Sequence, residues 1–283
     1  MSLVTVLVFT LLVLTGSFAA GLLGALTGLG GGVVLVPLLT LVFHVDLRYA
    51  IGASLVSVIA TSSGAAAAYV REGYSSVRIG MFLEVATTIG AILGAFLATM
   101  VPTRGLAVVF GCVLLYSAWL SWQTSRMPHA DNSIDNPWSD KLRLSGSYPG
   151  AGGNPIKYKV TRIPQGFAMM FGAGTLSGML GIGSGAVKVL AMDRIMRIPF
   201  KVSTTTSNFM IGVTAAASAG IYLRRGYINP GLSAPVMLGV IAGSLLGARL
   251  LARAPVNILR TIFTVVILAL GIEMIVNGIR GTI

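Results

Sequence analysis

The chain alternates long apolar runs with short polar clusters, and most of the runs approach the thickness of a bilayer. No ionisable side chain occurs from Met1 to Phe43, a stretch too long for one membrane crossing and short for two. Apolar runs follow at Tyr49–Val70, at Ile79–Val101 (interrupted only by Glu84) and at Gly105–Ser125. A crossing helix takes about 20 mostly apolar residues, so each of these predicts one. From Arg126 to about Arg162 the pattern gives way to Gly, Pro, Ser and Asn, with Asp131, Asp135, Asp140, Lys141, Arg143, Lys157 and Lys159 among them, which reads as a loop. Apolar runs then resume at Ile163–Val187, Val202–Leu223, Tyr227–Ala248 and Thr261–Val276, with a polar cluster near Asp193–Arg197 and Lys201. The expected units are a first transmembrane repeat over 1–125, a linker over 126–162 and a second repeat over 163–283. The N-terminal run lacks the basic start of a signal peptide and continues past any cleavage position, so it reads as part of the fold.

Composition strengthens this picture. Hydrophobic residues make up 55% of the 283 residues and charged residues only 10%, whereas a soluble domain carries about 25% charge. Lipid is therefore the expected solvent. The net charge of +12 would suggest nucleic acid in a soluble protein. Here the cations sit singly or in pairs between apolar runs, as in loops facing anionic lipid, and nucleic acid is not an expected partner. The single cysteine, Cys112, excludes an intrachain disulfide and reads as packing.

Shifting the chain against itself by 153 residues aligns Phe18–Ala118 with Phe171–Gly271 without a gap, and 26 of the 101 pairs are identical. Chance in a chain so rich in Gly and Ala gives roughly a tenth. Matched pairs include Gly28/Gly181, Gly30/Gly183, Gly32/Gly185, Ser54/Ser207, Thr61/Thr214, Tyr69/Tyr222, Arg71/Arg224 and Tyr74/Tyr227. This is a duplicated membrane unit, a common plan among secondary transporters. If each half crosses an odd number of times, the loops on one side hold 14 cations and those on the other hold Arg48, Arg104, Arg224, Arg225 and Arg280; an even count divides them 11 to 8. The excess of cations on cytoplasmic loops favours the odd count. That implies inverted halves, a cytoplasmic linker and external termini. The expected fold is an all-α polytopic protein of two inverted repeats whose first helices are broken by glycine or re-entrant.

The break is visible in each half, as Gly28-Leu29-Gly30-Gly31-Gly32 and as Gly181-Ile182-Gly183-Ser184-Gly185. Each glycine costs a helix interior about 1 kcal/mol relative to alanine, and irregular backbone is tolerated in lipid only where it is buried or lines a cavity. A short apolar segment follows each break, ending near Phe43 and near Met196. Its free N–H groups would face the break and suit an anion. Glycine also permits close helix packing, the reading that fits Gly90, Gly94, Gly243 and Gly247. A dinucleotide fingerprint with Asp46 is excluded because the flanks have membrane length and no βαβ pattern.

With Pro37, the first motif has the form G-x-G-G-G-x-x-x-x-P. Together with its echo at Gly181–Gly185 and the Arg-x-Gly-Tyr turns at 71–74 and 224–227, it resembles the TauE/SafE sulfite exporter family, also called the sulfonate uptake permeases. The resemblance covers both halves. It implies a transporter for sulfur oxyanions or organosulfonates such as sulfite or sulfoacetate. Three positions depart from the pattern: Ser184 replaces the central glycine, Leu190 stands where the proline would repeat, and Lys188 enters the following apolar segment.

The glycine motifs supply Gly30, Gly31, Gly32, Gly183, Ser184 and Gly185 as candidate substrate contacts. Lys188 joins them, because an ionisable group inside a membrane segment is by default functional; the alternatives are a pair with Asp193, a helix carbonyl, or an interfacial position. The run from Lys201 to Asn208 offers more hydroxyls than a helix cap requires, and Thr205, Ser207 and Asn208 are the lining candidates. Ser54, Ser57 and Thr61 take corresponding or neighbouring places in the first half, on one helical face. Glu84 is a candidate proton-coupling carboxylate or a partner of Arg78 or Arg104. Tyr116, Trp119 and Trp122 read as an aromatic belt. His44 and His129 are too far apart in sequence to suggest a metal site, and no cofactor is expected.

These features favour a secondary transporter of a small anion in the cell (inner) membrane. No G-x-x-x-x-G-K-[ST] motif occurs, so ATP is not the expected energy source. A cation or neutral metabolite is the alternative cargo, and a membrane scaffold or sensor the alternative class. An enzyme is not expected, since no span holds histidine and Glu84 and Glu273 are the only carboxylates within the spans. The expected partners are the anionic substrate and the bilayer, with a coupling proton or ion and self-association left open.

Overall fold

A computed structural model describes residues 3–27, 31–71, 75–123, 144–149, 155–251 and 256–281. These form α1 (Leu3–Thr27), α2 (Gly32–Pro37) leading into a π turn (Leu38–Val42), α3 (Leu47–Arg71), α4 (Val77–Met100) and α5 (Thr103–Gln123). A hairpin of β1 (Gly146–Pro149) and β2 (Pro155–Tyr158) follows. The second half comprises α6 (Ile163–Leu180), α7 (Gly185–Leu190) with a π turn (Ala191–Ile195), α8 (Phe200–Arg224), α9 (Pro230–Leu251) and α10 (Val256–Arg280).

The 153-residue spacing of the sequence recurs in these elements. It carries α2 onto α7, one π turn onto the other, α3 onto α8, and the start of α4 onto the start of α9. Both π turns end in a left-handed residue at the matching place, His44 and Arg197. Pro37 is not the cause of the widened turn, because Leu190 fills its position in the second half. The caps after the two π turns are Phe43 and Met196, the ends read from the sequence. Each short helix with its π turn covers eleven residues, about 16 Å at 1.5 Å per residue. That is half of a hydrocarbon core of about 30 Å.

The helices pack in exchanged pairs: α1 lies against α9, and α6 against α4. The halves also meet through α3 with α8 and through α5 with α10, so α3 and α8 form the centre. Glycine permits the close pairs. A Cβ on Gly90 or Gly94 would run into the carbonyl oxygens of Phe171 and Thr175 in α6, and one on Gly174 or Gly178 into those of Thr87 and Ala91 in α4. Gly243 meets the Phe18 carbonyl of α1 in the same way. Small residues at such interfaces bring backbones together where apolar attraction between helices gives no advantage over lipid.

The distribution of side chains reverses that of a soluble helix. On α4 the buried face carries Glu84, Thr87, Gly90, Ala91 and Gly94. Its exposed face carries Met81, Val85, Ile89, Ile92 and Phe96. An apolar exterior of this extent requires lipid or a partner to cover it. Among the described residues three windows are long and apolar enough to cross a membrane, Leu7–Gly24, Val77–Met100 and Pro230–Gly247. Cys112 is exposed on α5 rather than packed inside. Tyr116 and Trp119 are exposed on the same helix with ring centroids 6.0 Å apart; Trp122 has no described side chain, and His129 lies outside the described residues.

Part of the expected linker loop is structured. In the hairpin Gly146 pairs with Tyr158, and Leu144, Tyr158 and Val160 are buried with Ile79 and Leu83 of α4 and with Met192, Met196 and Val202. Four-residue strands amid Gly, Pro and Ser leave too little alternation to read as sheet. Contacts gather the described loops into two groups. In one, Arg48 donates to Tyr227 Oη and to the Val101 carbonyl, each at 3.0 Å, and Gly281 abuts Arg104. In the other, the Ser76 N–H donates to Thr206 Oγ1 at 3.1 Å and the Thr161 N–H to the Met196 carbonyl at 3.0 Å, beside the hairpin.

Candidate functional site

Helix α6 stops because Gly181 turns left-handed (φ 68°), its N–H donating to the Ser177 carbonyl at 2.8 Å. Gly183 (φ 70°) and Ser184 (φ 44°) are left-handed as well before α7 begins. The two glycines adopt this geometry freely, whereas Ser184 pays about 1 kcal/mol for it. The second glycine motif therefore produces a non-helical break, and its backbone faces α3. Ser54 Oγ donates to the Gly181 carbonyl at 2.8 Å.

The first motif arrives at the same place. A Cβ on Gly32 would lie 2.7 Å from Ser54 Oγ and 3.1 Å from the Gly181 oxygen, so the last glycine of the first motif meets the break of the second at Ser54. A Cβ on Gly183 would press on Ile211 at 2.8 Å, with Val58 at 3.5 Å. On the α8 side Ser207 Oγ donates to the Gly185 carbonyl at 3.3 Å. The structure thus gathers Gly32, Gly183, Gly185, Ser54 and Ser207 between the two central helices. Gly31 faces Val240 of α9 and the backbone of α1 instead, and Gly30 lies outside the described residues.

The remaining hydroxyl candidates mostly serve their own helices. Ser57 donates to the Ser54 carbonyl at 2.8 Å, Thr61 to the Ser57 carbonyl at 3.0 Å, and Thr205 to the Val202 carbonyl at 3.1 Å. Such bonding to the preceding turn is the usual fate of Ser and Thr inside helices. Asn208 is half-buried. Ser184 differs from all of these. It is 4% exposed, it does not cap α7, and its hydroxyl is buried without a partner.

Lys188 is fully buried one turn beyond the break, its backbone N–H bonded to the Ser184 carbonyl at 3.1 Å. Its ammonium donates to Thr214 Oγ1 of α8 at 2.5 Å, and that hydroxyl stands 2.8 Å from Glu84 Oε1 of α4. Thr88 also donates to Glu84 Oε1, at 3.2 Å. Glu84 Oε2 is buried with no partner. The electrostatic partners Lys188 and Glu84 therefore meet through Thr214, and the geometry gives Glu84 this setting rather than a bond to Arg78 or Arg104. Charges buried at this depth are sustained only when paired and hydrogen-bonded.

Thr214 is the residue that sequence reasoning missed. Its signal was present, since it matches Thr61 at the 153-residue spacing and lies seven residues beyond Ser207, on the same helical face. The same spacing relates Lys188 to Leu35 and Glu84 to Met237. The charged pair thus has an apolar counterpart, and the site is electrostatically one-sided. A second polar cluster closes one end of the bundle: Arg48 stacks on the Tyr227 ring at 5.5 Å, and Tyr222 Oη donates to the Met179 carbonyl at 3.1 Å, just before the break. Among the described residues no group of three or more His, Cys, Asp or Glu side chains is arranged to hold a metal ion.

A family model described as sulfite exporter TauE/SafE matches residues 13–274. The probable membrane transporter protein YunE of Bacillus subtilis is 28% identical over 281 residues, covering 96% of this chain and 98% of the relative. The probable membrane transporter protein YdhB of the same organism is 24% identical, over 89% of this chain and 94% of its own. A probable membrane transporter protein of Methanocaldococcus jannaschii is 24% identical, over 95% and 96%. No solved structure matches the chain.

Proposed function

The chain belongs to the sulfite exporter TauE/SafE family, and from that membership we propose that it is a secondary transporter moving a small anion, a sulfur oxyanion or organosulfonate such as sulfite or sulfoacetate, across the cell (inner) membrane. Membership in a transporter family points to transport rather than catalysis. The observation that carries the anion reading is Lys188, a cation buried one turn past a glycine break that also holds the buried, unpartnered Ser184 hydroxyl. An ammonium and a free hydroxyl are donors suited to an oxyanion. The bare backbone at Gly32 and Gly183 admits Ser54 and Ile211 in close contact, which packs the two central helices against the break. Ser54 and Ser207 flank the position, with Ser57, Thr61, Thr205 and Asn208 as further lining.

Access alternates between the two sides as the halves, multi-pass and inverted relative to each other, rock about this centre. Arg48 and Lys201 support the inversion. They match at the 153-residue spacing, yet Arg48 bonds at the end holding Val101 and Tyr227, while Lys201 opens α8 near the end where Thr206 meets Ser76. Cations with described side chains at the hairpin end are Arg78, Lys157, Lys159, Arg162, Arg194 and Arg197, against Arg48, Arg104, Arg224, Arg225 and Arg280 at the other. That asymmetry supports a cytoplasmic hairpin.

The test is thermal stability of the purified protein against sulfite, thiosulfate, sulfoacetate, taurine, sulfate and chloride, with Lys188→Ala alongside. A ligand that binds only the folded state raises the melting temperature. One sulfur anion should stabilise the wild type selectively and lose that effect in Lys188→Ala. Stabilisation by cations or neutral metabolites alone would overturn the anion reading.

A further inference from the structure

We propose that Glu84 is the resident counter-charge of Lys188, that an anion entering the site takes over this role, and that a proton binds Glu84 as it does so. One proton then travels with each monovalent anion, and no net charge crosses the membrane. The inference rests on the anion reading above and extends it to coupling and to the charge of the substrate.

Among the described residues, the elements packed on the charged pair bring few other ionisable groups; the hairpin sets Tyr158 against α4, clustered with Ile79 and Leu83. Helix α6, packed on α4, carries none. Helix α8 carries Lys201, Tyr222 and Arg224 towards its ends and only Thr214 opposite Glu84. On α4 itself the other charge is Arg78, six residues earlier and exposed; beyond α7, Asp193 and Arg194 follow in the π turn. Lys188 and Glu84 thus neutralise one another, and the empty site has no net charge. An anion held by the Lys188 ammonium and the Ser184 hydroxyl would bring a second negative charge beside the carboxylate, inside protein where water screens poorly. Two negative charges sharing one cation in such a place do not both persist; one takes a proton.

The receiving atom is Glu84 Oε2. Oε1 accepts from Thr88 and faces the Thr214 hydroxyl, while Oε2 is buried and has no partner. The proton comes from solution and its positive charge offsets the charge of the anion, so the loaded site of ammonium, carboxylic acid and anion is again neutral. A dianion would leave the site one charge negative. The site therefore selects hydrogensulfite or a simple sulfonate over a doubly charged anion, and so narrows the classes proposed above by disfavouring fully ionised sulfite and fully ionised sulfoacetate. Thr214 is the positioning residue, since its one hydroxyl connects both charges. The matching positions of the other half are Leu35, Thr61 and Met237, so the chain holds one such pair and carries one proton.

The experiment uses the purified full chain and methanesulfonate, a monovalent sulfonate whose own charge does not change over the range titrated. Binding is measured against pH, and proton uptake is followed with an indicator dye in weak buffer. The wild type should take up about one proton per anion where Glu84 starts ionised, with affinity falling about tenfold per pH unit there. Glu84→Gln should bind without uptake and with a flat pH profile. Thr214→Val should displace the profile, and Thr214→Ser should restore it. Wild-type binding without proton uptake overturns the coupling and leaves the anion site standing, as does uptake persisting in Glu84→Gln. Failure of the wild type to bind methanesulfonate at any pH overturns the anion reading and the coupling together. Should Glu84→Gln not fold, the wild-type uptake decides alone.

Discussion

Replacing Lys188 and Glu84 by the residues at the matching positions of the other half, Leu35 and Met237, separates the energetics of the charges from those of packing. Bonds of 2.5 and 2.8 Å through Thr214 place the two charges within roughly 5 Å of each other. At an effective dielectric of about 20 their attraction is then about 3 kcal/mol. Lys188→Leu alone leaves a carboxylate buried without its cation, and Glu84→Met alone leaves the cation, and each should cost about 3–5 kcal/mol. The double replacement removes both desolvation penalties and installs the apolar side chains that hold the matching positions of the other half. Its stability should lie within about 1 kcal/mol of the wild type, the outcome seen when buried ion pairs give way to apolar groups of similar volume. Denaturant or thermal unfolding of the four proteins in one detergent closes the cycle. The double variant should also no longer bind anions. A double variant as unstable as the two single losses added together would refute the pairing and the derivation built on it.

Gly94→Ala should cost about 1–3 kcal/mol, since its Cβ meets the Thr175 backbone, whereas Gly172→Ala, with nothing within 4 Å, should be neutral or stabilising by up to about 1 kcal/mol; parallel melting curves check both. Ser54→Ala removes the buried bond to the Gly181 carbonyl and should lower stability by about 1–2 kcal/mol and weaken anion binding, read by the same melts with and without ligand. Burial raises the Tyr158 phenol above its ordinary 10.0, opposed by a weaker hydrogen bond with Ser76. The docked hairpin should therefore keep its full stability below pH 10 and lose it as pH rises from there through the raised value; ultraviolet titration of the wild type against Tyr158→Phe isolates this late ionisation, and its absence would mean that the hairpin is not docked.

Several features were legible along the chain because their causes are local or periodic. Glycine enforces the break at Gly181–Gly185 wherever the segment lies, and the ends of the short helices at Phe43 and Met196 follow from the same local pattern. Apolar length announces α3, α4, α8 and α9 because lipid leaves a backbone few alternatives to the helix. Gly90, Gly94 and Gly243 read correctly as packing positions, since a missing side chain matters most where another backbone passes. The hairpin at 146–158 was illegible: its strands are short, and they gain their order from burial of Tyr158 against α4 and the second π turn.

Sequence spacing alone was enough to establish a lipid-borne chain, a 153-residue internal correspondence and a cation of uncommon position at Lys188. It left open what that cation meets: the spacing offered Asp193, five residues on, and gave no sign of Glu84, over a hundred residues earlier. The exchanged packing of α4 onto α6 and α8 decides it, bringing Glu84 of one half to Thr214 and Lys188 of the other. The same folding separates Gly32, which meets Gly181 and Ser54, from its neighbour Gly31, which faces α9. Successive residues of a helix point about 100° apart, and which direction holds the partner is a property of how the two halves pack together.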